Sequence, residues 1–399
     1  MENSEKYGMV TLREKTRQVF CGGVPIGGGA PVSIQSMTNT FTEDIAATAA
    51  QIAALAAAGA DIVRCAVPTL KAAQGLREIK TRLEASGTTV PLVADVHFDY
   101  NIALAAIAAG VDKIRINPGN IGSAERLKAV ADAAGGAGIP MRIGVNGGSI
   151  EPELRGLYQT RPAEALAESA FRSIGVVRGL GFEDLVVSIK SSNVMVNTEA
   201  HRLLSAAVDL PLHIGITEAG AGGAAVVKSA AGIGALLAMG IGDTIRVSLT
   251  GDPVPEIAVA RDILRAVDLL PGQVSLISCP TCGRCRVDLA ALCGEAAEAL
   301  GEIERTRVSE ARLLRRNGPS AGESEEAFRA RLKASEQPVV AALMGCAVNG
   351  PGEASHADLG VACGADGGVL FKKGTQSRTL KTVEIVPALV DEVKRIVKK

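Results

Sequence analysis

A closed (β/α)8 TIM barrel followed by a small α/β domain is the architecture that the sequence predicts, and three observations carry it. From about residue 30 to 250, short β-branched runs alternate with alanine-rich helical stretches, and eight such units follow one another. The runs are predominantly apolar, as expected for strands of a parallel sheet covered by helices. Beyond Leu270-Pro-Gly272 the style changes: cysteines gather and a charged stretch interrupts the chain. Eight β/α units select a closed barrel over an open doubly wound sheet.

Taken in order, the expected barrel strands are 32–37, 62–67, 92–96, 113–117, 141–145, 185–190, 212–216 and 244–249. The expected helices are 44–58, 69–85, 101–109, 123–134, 162–180, 199–208, 222–239 and 255–270, several of them closed by glycine, as at Gly59, Gly87, Gly110 and Gly240. Residues 1–270 are thus read as a substrate-binding barrel and 271–399 as a second domain. Within the latter, 302–316 reads as a polar helix and 317–324 as a loop, so that a charged insertion near 303–335 is expected to be a solvated excursion. Strands are expected at 339–344, 369–373 and 382–386, with a terminal helix over 386–399.

The 399 residues are 47 % hydrophobic but only 3 % aromatic and contain no Trp, so Ala, Val, Ile and Leu must build the core. With 42 basic against 43 acidic residues the net charge is −1, which gives no global field for nucleic acid or a membrane surface. The first residues lack the apolar core of a signal peptide, and no apolar run of about 18 residues is present, so a cytoplasmic enzyme is expected. Eight cysteines in such a chain favour metal or catalytic roles over disulfides. Cys21, Cys65, Cys293 and Cys363 read as ordinary small buried or partly buried residues, and His201 and His356 as solvent-exposed or locally hydrogen-bonded.

Active sites of such barrels lie at the carboxyl ends of the strands. Here five strands each bring a cation there: Arg64, Arg115, Arg142, Lys190 and Arg246. A cation in an apolar strand costs several kcal/mol unless paired, and few acids are near in sequence. A multiply charged anion is therefore the expected substrate, with Arg forks matched to phosphate oxygens. Asn117, Asn146, Thr217 and Ser248 add hydrogen-bonding groups at the same ends, and Asp95, His97 and Glu218 are the candidate proton carriers or orienting groups. The loop from Asn117 to Gly122 could lend backbone N–H groups, although Pro-Gly-Asn is also an ordinary turn.

The second domain offers Cys279-Pro-Thr-Cys282 and, far downstream, Gly345-Cys-Ala-Val-Asn-Gly-Pro-Gly-Glu353. Three thiolates and one carboxylate suit an iron–sulfur cluster or zinc. Cys285 permits a rival ferredoxin-like spacing, but Cys293 then comes eight residues later and is followed by Gly, not Pro. Read on residues alone, three classes stay open: a redox enzyme acting at a cluster, a phosphate-substrate barrel with structural zinc, and an iron–sulfur electron carrier or scaffold.

These segments, together with Gly27-Gly-Gly-Ala-Pro-Val-Ser-Ile-Gln-Ser-Met-Thr-Asn39, Ile116-Asn-Pro-Gly-Asn-Ile-Gly122 and His213-Ile-Gly-Ile-Thr-Glu-Ala-Gly220, closely resemble the 4-hydroxy-3-methylbut-2-enyl diphosphate synthase family in its two-domain bacterial form. The resemblance implies reductive conversion of 2-C-methyl-D-erythritol 2,4-cyclodiphosphate in isoprenoid biosynthesis. It implies a [4Fe–4S] cluster on Cys279, Cys282, Cys346 and Glu353, with Glu353 the displaceable ligand and a plausible acid. It implies substrate binding by Arg64, Asp95, His97, Arg115, Asn117, Arg142, Asn146, Lys190, Thr217, Glu218, Arg246, Ser248 and Asn349. Finally, it implies reduced flavodoxin or ferredoxin as electron donor, and a homodimer in which one subunit's cluster domain caps the other's barrel. Cys285 and the long charged stretch depart from the family pattern.

Overall fold

The computed structural model describes residues 12–398 other than 347 and 349. The chain divides between Leu269 and Leu270 into two compact units. In the first, eight parallel strands stand in the order β8-β7-β6-β5-β4-β3-β10-β9. They are β3 (Ser33–Met37), β4 (Ile62–Ala66), β5 (Leu92–Asp95), β6 (Lys113–Ile116), β7 (Met141–Asn146), β8 (Leu185–Lys190), β9 (His213–Ile214) and β10 (Thr244–Ile245), preceded by a hairpin of β1 (Val19–Cys21) and β2 (Val24–Ile26). A parallel bridge between Val187 and Leu212, with the Val187 N–H donating to Pro211 O at 3.0 Å, joins β8 to the β9 side and closes the barrel.

Each strand carries apolar residues toward the surrounding helices, which is why the expected runs and the observed strands coincide so closely. Side-chain caps start many helices: Asp44, Thr69, Asn193 and Asp288 each accept a backbone N–H in the first turn of the helix that follows. Each such cap is worth about 1 kcal/mol. The helix expected over 199–208 begins earlier, as Val194–Ala207, because the Asn193 cap lies ahead of its apolar face. The β1–β2 hairpin was not anticipated, since its three-residue strands carry no periodic signal. Val19, Cys21 and Ile26 pack on Ile62, Val93 and Val186 and floor the amino-terminal end of the barrel.

The second unit is built on a five-stranded sheet ordered β11 (Val274–Ser278), β12 (Val339–Met344), β13 (Leu359–Gly364), β14 (Gly367–Lys372) and β15 (Thr375–Leu380). The first three strands run parallel and the last two antiparallel. Leu289, Ala296 and Leu300 of helix Leu289–Asn317 and Leu389 and Val393 of helix Ile385–Val397 pack with this sheet in one core.

Two expectations for this unit are corrected. The charged stretch is not wholly solvated: the polar helix expected over 302–316 is the end of the 29-residue helix Leu289–Asn317, a loop follows it as expected, and helix Glu325–Glu336 completes the stretch. Two of its charges are buried and structural. Glu304 accepts the Val274 N–H at 3.0 Å, and Arg307 donates to Gln337 O at 2.9 Å, so both satisfy backbone at the start of the sheet. Arg315 and Glu336 then join the two helices through a bidentate pair at 2.8 and 2.7 Å. The strand expected at 382–386 is instead a 3-10 turn, Thr382–Glu384, leading into the terminal helix, because Glu384 folds back to accept the Lys381 N–H at 2.8 Å.

Candidate active site in the barrel and thiol centre in the second unit

The strand registers fix which side chains meet inside the barrel. Strand stagger in a closed eight-stranded barrel brings alternate strands into common layers. Following the register round the barrel places Arg64, Arg115, Ser188 and Arg246 in one layer near the carboxyl end. Directly beneath it lie Gln35, Val93, Arg142 and His213, and beneath those Ile62, Lys113, Val186 and Thr244. Layers that are commonly filled by branched apolar residues therefore hold a column of cations.

Asp95 organises the upper layer. Its carboxylate accepts from Arg115 Nη1 at 3.0 Å and lies 3.5 Å from Arg64 Nε. Burial alone would raise this carboxyl, but Arg64, Arg115, Arg142 and His97 together hold it down at about 2. His97 stands over the pair, with Nε2 2.8 Å from Arg115 Nη1 and Nδ1 3.8 Å from Asp95 Oδ1. Because Nε2 accepts from a guanidinium, the ring is neutral with its proton on Nδ1. Burial lowers its value further, Asp95 opposing and Arg115 and Arg64 assisting.

Arg64 also donates to Met37 Sδ from Nη2 at 2.7 Å, and Arg246 Nη1 reaches the same sulfur at 3.5 Å. Arg246 Nε lies 3.9 Å from Glu256 on helix Val254–Ala266, whose carboxylate accepts the Leu249 N–H at 2.9 Å. Sequence reading missed both Met37 and Glu256. The signal for Glu256 was an acid beside Ile257 and Ala260 on the apolar side of the helix, where all three are buried.

The remaining expected groups lie on or just after strand ends. Arg142 and Lys190 are buried and held well below their ordinary values, by burial first and by the neighbouring cations next. Asn117 follows β6 and accepts the Gly119 N–H at 3.1 Å, so the Pro-Gly-Asn segment forms a tight 3-10 turn. Asn146 ends β7, Thr217 and Glu218 follow β9, and Ser248 follows β10. Glu218 is exposed and sits at φ 52°, a left-handed conformation that costs a non-glycine residue about 1 kcal/mol or more and recurs at functional sites. His201, by contrast, is fully buried and hydrogen-bonded to Asn197 O at 2.8 Å, while His356 is exposed.

In the second unit Cys279 and Cys346 follow the ends of two paired parallel strands, β11 and β12. Cys279 Sγ accepts the Gly345 N–H at 3.3 Å. The Arg284 backbone and guanidinium hydrogen-bond to the exposed Cys282 thiol and lower it, and Arg284 also feels Cys346. Among the described residues no three Cys, His, Asp or Glu side chains converge as ligands of a single ion. The donor chemistry nevertheless fits an iron–sulfur group, with three soft thiols gathered at one end of the sheet beside a cation. Glu353 lies on the short helix Gly350–Ser355; its side chain, and Asn349 altogether, lie outside the described residues.

The GcpE TIM-barrel domain matches residues 16–261, and the GcpE protein C-terminal domain matches residues 316–395. The 4-hydroxy-3-methylbut-2-en-1-yl diphosphate synthase (flavodoxin) of Caldanaerobacter subterraneus subsp. tengcongensis is 46 % identical over 390 residues, covering 98 % of this chain and 99 % of that one. The enzymes of the same description from Geobacter sulfurreducens and Bacillus subtilis are each 44 % identical, over 96 % and 97 % of this chain and 99 % and 92 % of theirs.

Proposed function

The chain belongs to the GcpE family, and from that premise we propose how its residues carry out the family reaction. It is an iron–sulfur oxidoreductase of isoprenoid biosynthesis. It opens the ring of 2-C-methyl-D-erythritol 2,4-cyclodiphosphate and removes water to give (E)-4-hydroxy-3-methylbut-2-enyl diphosphate. Two electrons and two protons enter and one water leaves. Reduced flavodoxin, which the relatives' names specify, supplies the electrons.

The observation that carries the site assignment is the imbalance of charge. Five cations, Arg64, Arg115, Arg142, Lys190 and Arg246, line the carboxyl half of the barrel, with Asp95 and Glu256 as the buried acids paired among them. An anionic cyclic diphosphate relieves their repulsion and takes their N–H donors. As the ring opens, the phosphate oxygen that leaves carbon gains negative charge, and fixed guanidinium groups stabilise it without reorganising. Asp95 orients Arg64 and Arg115 for this task. Asn117, Asn146, Thr217 and Ser248 supply neutral hydrogen bonds to the sugar-derived carbon chain. His97, neutral and proton-bearing at Nδ1, and Glu218, held out at the rim, are the barrel groups that move protons.

Cys279, Cys282, Cys346 and Glu353 would hold the cluster, of [4Fe–4S] type, and Asn349 would contact the substrate. When bound, such a cluster supplies electrons singly and an iron with Lewis acidity. A homodimer in which a partner's cluster domain covers the barrel mouth is supported by the rim itself. Phe41, Phe98 and Met195, on the segments after β3, β5 and β8, are 84 %, 74 % and 76 % exposed. Apolar groups clustered round a site in this way mark a surface that becomes covered.

The test is anaerobic turnover of the cyclodiphosphate with dithionite or reduced flavodoxin, following the allylic diphosphate. Turnover without reductant would turn the reading to a phosphate-substrate barrel with structural zinc. Failure to bind the cyclodiphosphate would turn it to an electron carrier. Mixing Arg142→Ala with Cys279→Ala protein tests the dimer, since mixed dimers that recover no activity exclude capping between subunits.

A further inference from the structure

The lower barrel is the least ordinary part of the molecule. Lys113 on β6 is 0 % exposed and its Nζ has no hydrogen-bond partner. In the layer above it, Gln35 is 1 % exposed with neither Oε1 nor Nε2 partnered, His213 Nε2 is unpartnered, and so are Nε and Nη1 of Arg142. Among the described residues no carboxylate pairs with Lys113. The hairpin closes the floor with Val19, Cys21 and Ile26, so bulk water has no role in screening the ammonium from below.

An unpaired buried ammonium costs a fold several kcal/mol, and a well-packed apolar side chain of similar length would be more stable. A local structural role does not explain it, because Lys113 holds nothing in place. Its position does. Lys113 alternates with Arg115 on one strand, facing the same interior two residues nearer the floor, with Arg142 in the layer between. In a low-dielectric interior its field reaches the mouth with little screening.

We propose that Lys113 is a positioning residue for the anionic substrate: a buried cation that draws the diphosphate down onto Arg142 without touching it. Uncharged Gln35 and His213, rather than an acid, complete the layer above, which leaves that field intact. The inference rests on the cyclic diphosphate reading of the mouth, and its test separates the two.

Binding of the cyclodiphosphate to the whole protein is measured by calorimetry, for wild type, Lys113→Met, Lys113→Arg and the control Lys128→Met on an exposed outer helix. Lys113→Met is expected to bind about tenfold more weakly while its Tm rises. Lys113→Arg, which keeps the charge, stays within about twofold of wild type, and Lys128→Met is unchanged. Inorganic diphosphate should show the same ordering. If Lys113→Met does not fold, Lys113→Gln answers the same question. Unchanged affinity in the neutral variants, or a fall in Tm with unchanged affinity, overturns the proposal and assigns Lys113 to packing. Wild-type protein that binds no cyclodiphosphate overturns the reading of the mouth instead.

Discussion

Gly144 on β7 and Arg115 on β6 share one volume: a Cβ added to Gly144 would lie 2.5 Å from Arg115 Nη2 and 2.6 Å from Nε. The absent side chain is the space in which the guanidinium lies flat against the neighbouring strand and reaches both Asp95 and His97. Gly144→Ala should therefore push Arg115 off Asp95. The expected outcome is a fall of about a hundredfold in kcat/KM from misplacing the guanidinium, with a Tm loss of only a few degrees from overpacking. A variant with normal kinetics would show that the Arg115–Asp95 geometry is not needed.

Asp95→Asn removes the carboxylate between Arg64 and Arg115 and leaves both guanidiniums facing one another. Loss of one partner from a buried charge cluster costs about 3–5 kcal/mol. The pH dependence has a definite sign. With the folded value at about 2, below the ordinary 3.8, the Asp95 contribution is full above pH 4 and is lost as pH falls from there through 2. Urea unfolding at pH 6 and pH 3 should show the gap between wild type and Asp95→Asn narrowing at the lower pH. A gap of equal size at both values would contradict the pairing.

The barrel was legible because its strands recur as short β-branched runs at regular spacing and its helices carry their own start signals. The cations at the strand ends were legible too, since Arg and Lys in such runs stand out. Gln35 and Lys113 were passed over because they lie below the strand ends, and only the register between strands shows that polar layers continue beneath the mouth. The second unit was read less well for a related reason. Glu304 and Arg307 are charges that serve buried backbone, and composition cannot distinguish them from solvated ones. β13, with glycine at both Gly360 and Gly364, carries too weak a strand signal, while the β-branched run before Ile385 carries a false one.

The thiols divide by their contacts. Cys285 Sγ donates to Val287 O at 3.2 Å and fills the space beside Gly345, where an added Cβ would come within 2.5 Å of it. It packs the turn between the strands and should be dispensable for iron. Anaerobically reconstituted Cys279→Ala, Cys282→Ala and Cys346→Ala proteins should lose iron and sulfide, while Cys285→Ser retains both in a near one-to-one ratio. Iron retained in Cys346→Ala but lost in Cys285→Ser would move the ligand set.

Lys113 gives stability an alkaline signature. Burial lowers its value to about 8 from the ordinary 10.5; Cys21 on the hairpin opposes this, and Arg142 on β7 and Arg64 on β4 add to it. Between about pH 8 and 10.5 the unfolded chain therefore keeps a proton that the folded chain has released, and folding becomes more favourable as pH rises. Cys21, raised to about 11 by burial with Asp112 adding and Lys113 and Lys80 opposing, remains a thiol through most of this window. His213, lowered by burial and then by Arg142, Lys190, Lys113 and Arg64, is neutral throughout. The Tm advantage of Lys113→Met should accordingly be greatest at pH 7 and shrink toward pH 10. Thermal unfolding of both proteins across that range measures it, and an advantage that grows with pH would mean the ammonium is paired in the fold.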